Sequence, residues 1–301
     1  MLDWLSSLPG AAAQGLTWGI VALGVYITYR ILDMADMTVD GSICTGAAVC
    51  TMLMRSGVNP WLALLAAFAS GLIAGCVTGA LHIGLGIPAI LSGILTQMVL
   101  WSVNLKIMGK ANQALPARNY PVLLSQMDIP AALILLGIAA VILIGLLYLF
   151  FGTELGCAIR ATGCNPIMSR AQGTNTGVCK IIGLALSNGL VALAGGLRCQ
   201  YEGAADINMG RGAVVIGLAA VVIGEAVVKH IGSNFAVKLG GVMVGAVIYY
   251  FVYQTVIFLG LDADLLKALS AVVVVIFLGV PYVAGKIRTG LHSGKGGKRH
   301  A

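Results

Sequence analysis

The chain has 301 residues, 59% of them hydrophobic and 10% charged, with a mean hydropathy of +0.96. A soluble domain carries about 25% charged residues, so a soluble enzyme is excluded and the composition is that of a polytopic membrane protein, long enough for roughly eight to ten spans of about 20 residues. The net charge of +7 does not point to nucleic acid, because the bases cluster in loops and at the tail, as the positive-inside rule requires.

Residues 1–10 carry Asp3 and no base, so they lack the basic region of a cleavable signal and the first apolar run is retained. Residues 11–32 form the first predicted span; Arg30 near its end places the N-terminus outside. Asp33, Asp36 and Asp40 follow among apolar residues. An Asp at mid-bilayer costs about 2.5–3.5 kcal/mol, so these acids read either as a solvated surface connection or as a broken helix lining a water-filled path. Residues 41–54 make a short second span. The third, 61–82, contains Gly71, Gly75 and Gly79, a glycine stripe that lets another helix approach closely, and ends at an interfacial His82. The fourth, 89–107, holds Gln97 and Asn104, which either face a path or bond across helices. Residues 108–129, with Arg118, form an outer loop, and 130–151 is an uninterrupted apolar span.

The long polar run at 152–180 carries Arg160, Arg170 and Lys180 against Glu154, so it belongs on the cytoplasmic side. Inside it, Asn165 is an N-cap, Pro166 a first helical residue and Gly173 a terminator. Ile167, Met168 and Ala171 share one face of the enclosed short helix. That stripe is buried either on lipid and the protein's own loops or in a groove on a soluble partner. Beyond it, 181–197 crosses outward. Residues 198–212 are external and carry Arg198, Glu202 and Arg211. Residues 213–228 cross inward, 240–258 outward and 265–283 inward, leaving a basic tail at 285–301 that suits acidic lipid. The order gives about nine spans. Of 18 Lys and Arg, about eleven lie inside and seven outside, and the outer ones suit docking of an external protein. The seven cysteines form no CxxC pair and read as buried apolar thiols without a metal or disulfide framework.

The loop resembles the cytoplasmic coupling loop of ABC-importer permeases of the branched-chain amino acid and ribose type. The shared residues are Thr153, Gly156, Arg160, Ala161, Gly163, Asn165, Ala171, Gly173 and Lys180, followed by the small-residue span 187–196, from whose usual pattern Asn188 departs. The stretch 36–42, DMTVDGS, is similar to the family's D-L-S-V-G-S element with Asp40 in excess, which favours the broken helix. A third block, from Ala219 to Ala246, is similar to a Gly-rich family segment in which Glu225 replaces a glycine and His230 lies near the usual Gly pair.

The resemblance implies an all-α membrane bundle of the vitamin-B12-permease type, one permease domain spanning 1–301. It implies a second permease copy with the path at the interface, ATPase subunits inside and a substrate-binding protein outside. Arg160, Asn165, Pro166, Ile167, Met168, Arg170, Ala171 and Gly173 would couple to the ATPase. Asp36, Thr38, Ser42, Gln97 and Asn104 would lie by the path. Arg118, Arg198, Glu202 and Arg211 would meet the binding protein. The chain has no G-x-x-x-x-G-K-[ST] sequence, so ATP and Mg would be held by the partner subunits, and no catalytic constellation marks it as an enzyme. Overall it looks closest to permeases for aromatic or other hydrophobic amino acids. An ion-coupled transporter using Asp36 or Glu225, or a sugar or nucleoside permease, remains the alternative reading.

Overall fold

A computed structural model describes residues 2–116, 120–229 and 234–258, together with 272, 275 and 279. The predicted span at 265–283, apart from residues 272, 275 and 279, the basic tail, Arg118 and His230 lie outside these residues. The architecture is helical: α1 (Leu2–Tyr26), α2 (Val39–Arg55), α3 (Pro60–Gly84), α4 (Ala89–Met108), α5 (Ile129–Gly152), α6 (Glu154–Cys164), α7 (Pro166–Ala171), α8 (Thr176–Glu202), α9 (Ala213–Val228) and α10 (Phe235–Phe258). Strands β1 (Asn112–Ala114) and β2 (Ala204–Asp206) pair antiparallel, with Gln113 opposite Ala205. Six helical stretches among the described residues are long and apolar enough to cross a membrane.

Two helices form the centre. α8 packs against α3, α2 and α1, and α1 packs in turn against α10, α9 and α5. Small residues make the closest approaches possible. A Cβ on Gly75 would overlap the Leu184 carbonyl oxygen, and one on Gly71 would overlap that of Asn188. The Gly71–Gly75–Gly79 stripe therefore faces α8, as a backbone-to-backbone contact requires. Gly224 and Gly241 do the same between α9 and α10. α4 and α5 are peripheral: only 22% and 17% of their apolar windows are buried, which leaves broad apolar faces for lipid or for another protein.

The element ends sort into two layers. At one end Ile31, α6, α7 and the start of α8 meet; Phe235 at the head of α10 stacks edge-on against Phe151. Arg30 pairs there with Glu225 at 2.8 Å, and the Arg160 guanidinium lies 5.4 Å from the Phe235 ring centre. At the other end the β1–β2 ribbon, the C-terminus of α8 and the entry to α5 meet, tied by the Leu123 amide donating to Gln200 Oε1 at 3.0 Å.

α2 and α9 do not run from one layer to the other as full spans. The chain leaves α1 through a π-turn, Ile27–Ile31, and is irregular, with Asp33 at φ 53° and a turn at 37–38, until α2 begins at Val39. From the C-terminal end of α8, residues 203–212 then run back along α2. The Cys44 thiol donates to the Ile207 carbonyl at 3.3 Å, and the Gly210 amide donates to that thiol at 3.2 Å. α9 starts where this return ends. Asp40 caps it from across the sequence: its carboxylate accepts from the Gly212 and Val214 amides, both at 3.0 Å. An acid at a helix N-terminus satisfies orphan donors and meets the positive end of the helix dipole. The residue in excess of the family's element thus has a structural task.

Candidate coupling and translocation sites

The polar run at 152–180 folds into two short helices. Thr153 opens α6 by accepting from the Gly156 amide at 3.3 Å. Asn165 ends α6 and begins α7: its Oδ1 accepts from the Ile167 and Met168 amides at 3.1 and 3.0 Å, with Pro166 in the first turn. α7 spans six residues, Pro166–Ala171, and Gly173 follows with φ of 84°, the left-handed geometry that closes helices. Ser169 is buried and meets the Thr162 hydroxyl of α6 at 3.4 Å. The opposite face is bare. Ile167 is 82% exposed and Met168 59%, and Ala171 is also exposed. Arg170 is exposed too, but its Nε donates to the Thr176 hydroxyl at 2.7 Å, bracing α7 on α8.

A second polar site lies inside the bundle. Asp36 is buried; its Oδ1 accepts from the Thr38 amide at 2.8 Å and its Oδ2 from Asn188 Nδ2 at 2.7 Å. The Ser42 hydroxyl donates to Asn188 Oδ1 at 2.6 Å. The hydroxyls of Thr38 and Thr78 meet at 2.7 Å. Asn188 is the hub, joining the irregular segment, α2 and α8, and it is fully buried. Sequence reasoning noted it only as a departure from a family pattern. A lone amide in a small-residue apolar span was the available signal, since such a group needs partners. Gln97 is half-buried on α4, and its Cα lies beside Gly41 of α2. Asn104 is fully buried with neither amide atom paired among the described residues. Asp36, Thr38, Ser42 and Asn104 all direct their side chains into the protomer, away from its exposed surface.

The profile of the family described as branched-chain amino acid transport system / permease component matches residues 8–278. The chain belongs to this permease family. It is 40% identical over 275 residues to the tyrosine transport system permease protein of Clostridioides difficile (strain R20291), covering 91% of each chain. It is 33% identical to an uncharacterized protein of Rickettsia prowazekii (strain Madrid E), with 89% of this chain and 95% of that one covered. It is 29% identical to the fructose import permease FruF of Bifidobacterium longum (strain NCC 2705), covering 91% and 79%. No solved structure is a significant match. The chain is therefore the permease component of an ABC importer, a multi-pass membrane protein and not a catalytic enzyme; the family implies separate ATPase and substrate-binding partners.

At the permease's other end, the residues expected to meet a binding protein are unequally available. Arg198 donates to Glu202 at 2.8 Å and to the Met209 carbonyl at 2.9 Å, and its guanidinium lies 4.9 Å from the Trp18 ring centre. Arg198 and Glu202 therefore fasten the return segment to α8 and α1. Arg211 is exposed. Among the described residues no group of His, Cys, Asp and Glu has the arrangement of a metal site. Cys76, Cys157 and Cys164 are exposed, so only four of the seven cysteines are buried thiols. The expectation for these three exposed cysteines is corrected: they lie on helix faces that no element among the described residues covers.

Proposed function

We propose that this permease forms the membrane path of an ATP-driven, binding-protein-dependent importer of aromatic or other hydrophobic amino acids. The observation that carries the cargo reading is the 40% identity, over 91% of both chains, to a tyrosine transport permease. The vitamin-B12-permease architecture, a homodimer with the path at its interface and nine spans belong to the same reading, as does an N-terminus outside and a basic tail inside against acidic lipid.

The coupling step follows from α7. Ile167, Met168 and Ala171 enter a groove on the ATPase subunit, with Arg160 and Arg170 at its rim. Burying the two larger side chains stabilises the contact by about 1.5–3 kcal/mol each. Closure of the ATPase dimer moves α6 and α7, and the helices carrying them alternate access to the path. ATP and Mg belong to the ATPase and none of the permease's own residues holds them. Arg211, together with Arg118, Arg198 and Glu202, contributes to docking of the binding protein.

An ion-coupled transporter has no use for a capped, apolar, exposed helix, so the bare face of α7 favours the ATP-driven reading. The test is reconstitution with the cognate ATPase and binding protein in liposomes. ATP-dependent tyrosine uptake that requires the binding protein is expected. Uptake of fructose in place of tyrosine would move the cargo to sugars; uptake without ATP would overturn the importer class.

A further inference from the structure

We infer that the irregular segment 33–38 faces the translocation route with the side that carries Ala35 and Met37, while Asp36 and Thr38 hold it from behind. The inference rests on the importer reading and names the side chains that its cargo touches.

Burial alternates along this segment. Met34, Asp36 and Thr38 are buried, whereas Asp33, Ala35 and Met37 are exposed, along an irregular segment with Asp33 at φ 53° and a turn at 37–38. The buried side is pinned by the Asp36–Asn188 and Thr38–Thr78 hydrogen bonds, so the two faces cannot exchange without breaking them. α4 closes one flank: a Cβ on Gly93 would stand 2.7 Å from the Met37 nitrogen.

Depth decides what the open side meets. Leu32 packs on Gly183, and Asp36 bonds to Asn188. These positions lie about 10 and 18 Å along α8 from its first residue, at 1.5 Å per residue. The segment therefore lies within the hydrocarbon zone, not at its surface. Its backbone is not satisfied internally. The Met34 amide donates to the Thr28 carbonyl and the Thr38 amide to Asp36, but the amides of Ala35, Asp36 and Met37 have no partner among the described residues. Irregular backbone with unpaired polar groups does not face lipid, and is tolerated only against protein or a water-filled cavity. An exposed, unpaired face at this depth is a wall of an aqueous route. Its chemistry suits an amino acid: peptide groups for the charged ends, and the adaptable Met37 thioether for an apolar side chain.

The experiment uses the full importer in liposomes, with the exposed Cys76, Cys157 and Cys164 replaced by Ser. Cysteine is introduced as Met34→Cys, Ala35→Cys, Met37→Cys or Thr38→Cys. The probe is a charged, membrane-impermeant methanethiosulfonate, which reacts only where water reaches the thiol. Positions 35 and 37 should react and lose uptake on modification, while 34 and 38 stay protected. If 35 and 37 resist the charged probe, whether or not a lipid-soluble maleimide labels them, the face lies on lipid or on a partner and the inference fails. An error in the cargo reading shows up separately, as an unmodified importer that takes up no tyrosine but keeps the same labelling pattern.

Discussion

Replacing Asn188 by Ala tests whether the buried network fixes the break between α1 and α2. The amide donates to Asp36 Oδ2 at 2.7 Å and to the Leu184 carbonyl at 3.0 Å, and accepts from Ser42 at 2.6 Å. Removing it strands two buried groups, the Asp36 carboxylate oxygen and the Ser42 hydroxyl, on opposite sides of the lost side chain. Each unsatisfied group costs about 1–3 kcal/mol, so the variant should lose roughly 2–6 kcal/mol. At about 2–4 °C per kcal/mol, the midpoint of thermal unfolding in detergent should fall by on the order of 5–20 °C. Asp36→Ala should also destabilise, and the two changes should not add, since contacting partners couple by about 0.5–3 kcal/mol. An Asn188→Ala midpoint within about 2 °C of the parent, below the shift expected for 1 kcal/mol, or strict additivity with Asp36→Ala, would refute the hub.

Gly75→Leu should cost at least about 1–3 kcal/mol by overpacking against the Leu184 carbonyl; unchanged thermal stability in detergent would contradict the α3–α8 contact. Met168→Glu should weaken co-purification of the ATPase and lower transport-stimulated ATP hydrolysis, because it places a charge in an apolar groove, whereas Arg170→Ala should be milder; the reverse order would make the contact chiefly electrostatic. Asn165→Ala removes both cap bonds and should cost about 1 kcal/mol of local stability, read as faster amide exchange at Ile167 and Met168 with no change at α8. Ser7→Cys should be labelled on intact cells by an impermeant reagent, and labelling only after permeabilisation would invert the proposed orientation.

Much of the fold was legible because apolar length and glycine spacing are local signals. The third, fourth and fifth spans fall within a few residues of α3, α4 and α5, and the cap, proline and glycine of α7 stand where the sequence places them. Long-range pairing was not legible. Three-residue strands such as β1 and β2 leave no periodicity to read. The bounds of α9 were legible, but its cap was not: Asp40 lies 172 and 174 positions from its two donors. Which side of residues 33–38 is covered depends on Asn188, whose partners lie 152 and 146 positions away. In a span rich in Gly and Ala a single amide gives no direction by itself. It becomes informative only once α8 is known to run behind the break.

The same contacts join α7 to that break. Ser169 and Thr162 tie α7 to α6. Gly163 of α6 lies directly on the Ile31 carbonyl, with no room for a Cβ, and the tip of the Leu32 side chain rests on Gly183. The first is a backbone contact with no side chain between the two helices to absorb a shift, and close-packed interfaces transmit displacement without deforming smoothly. Between Leu32 and Val39 the chain has no helical ladder; among the described residues it is held by the Met34 amide on Thr28 and by the Asp36 and Thr38 bonds. α6 therefore bears directly on Ile31, and residues 33–38 are the next non-helical stretch along the chain. The network around Asn188 ties that stretch to α2 and α8, so a change in those hydrogen bonds alters how the break beside the α6–Ile31 contact is held.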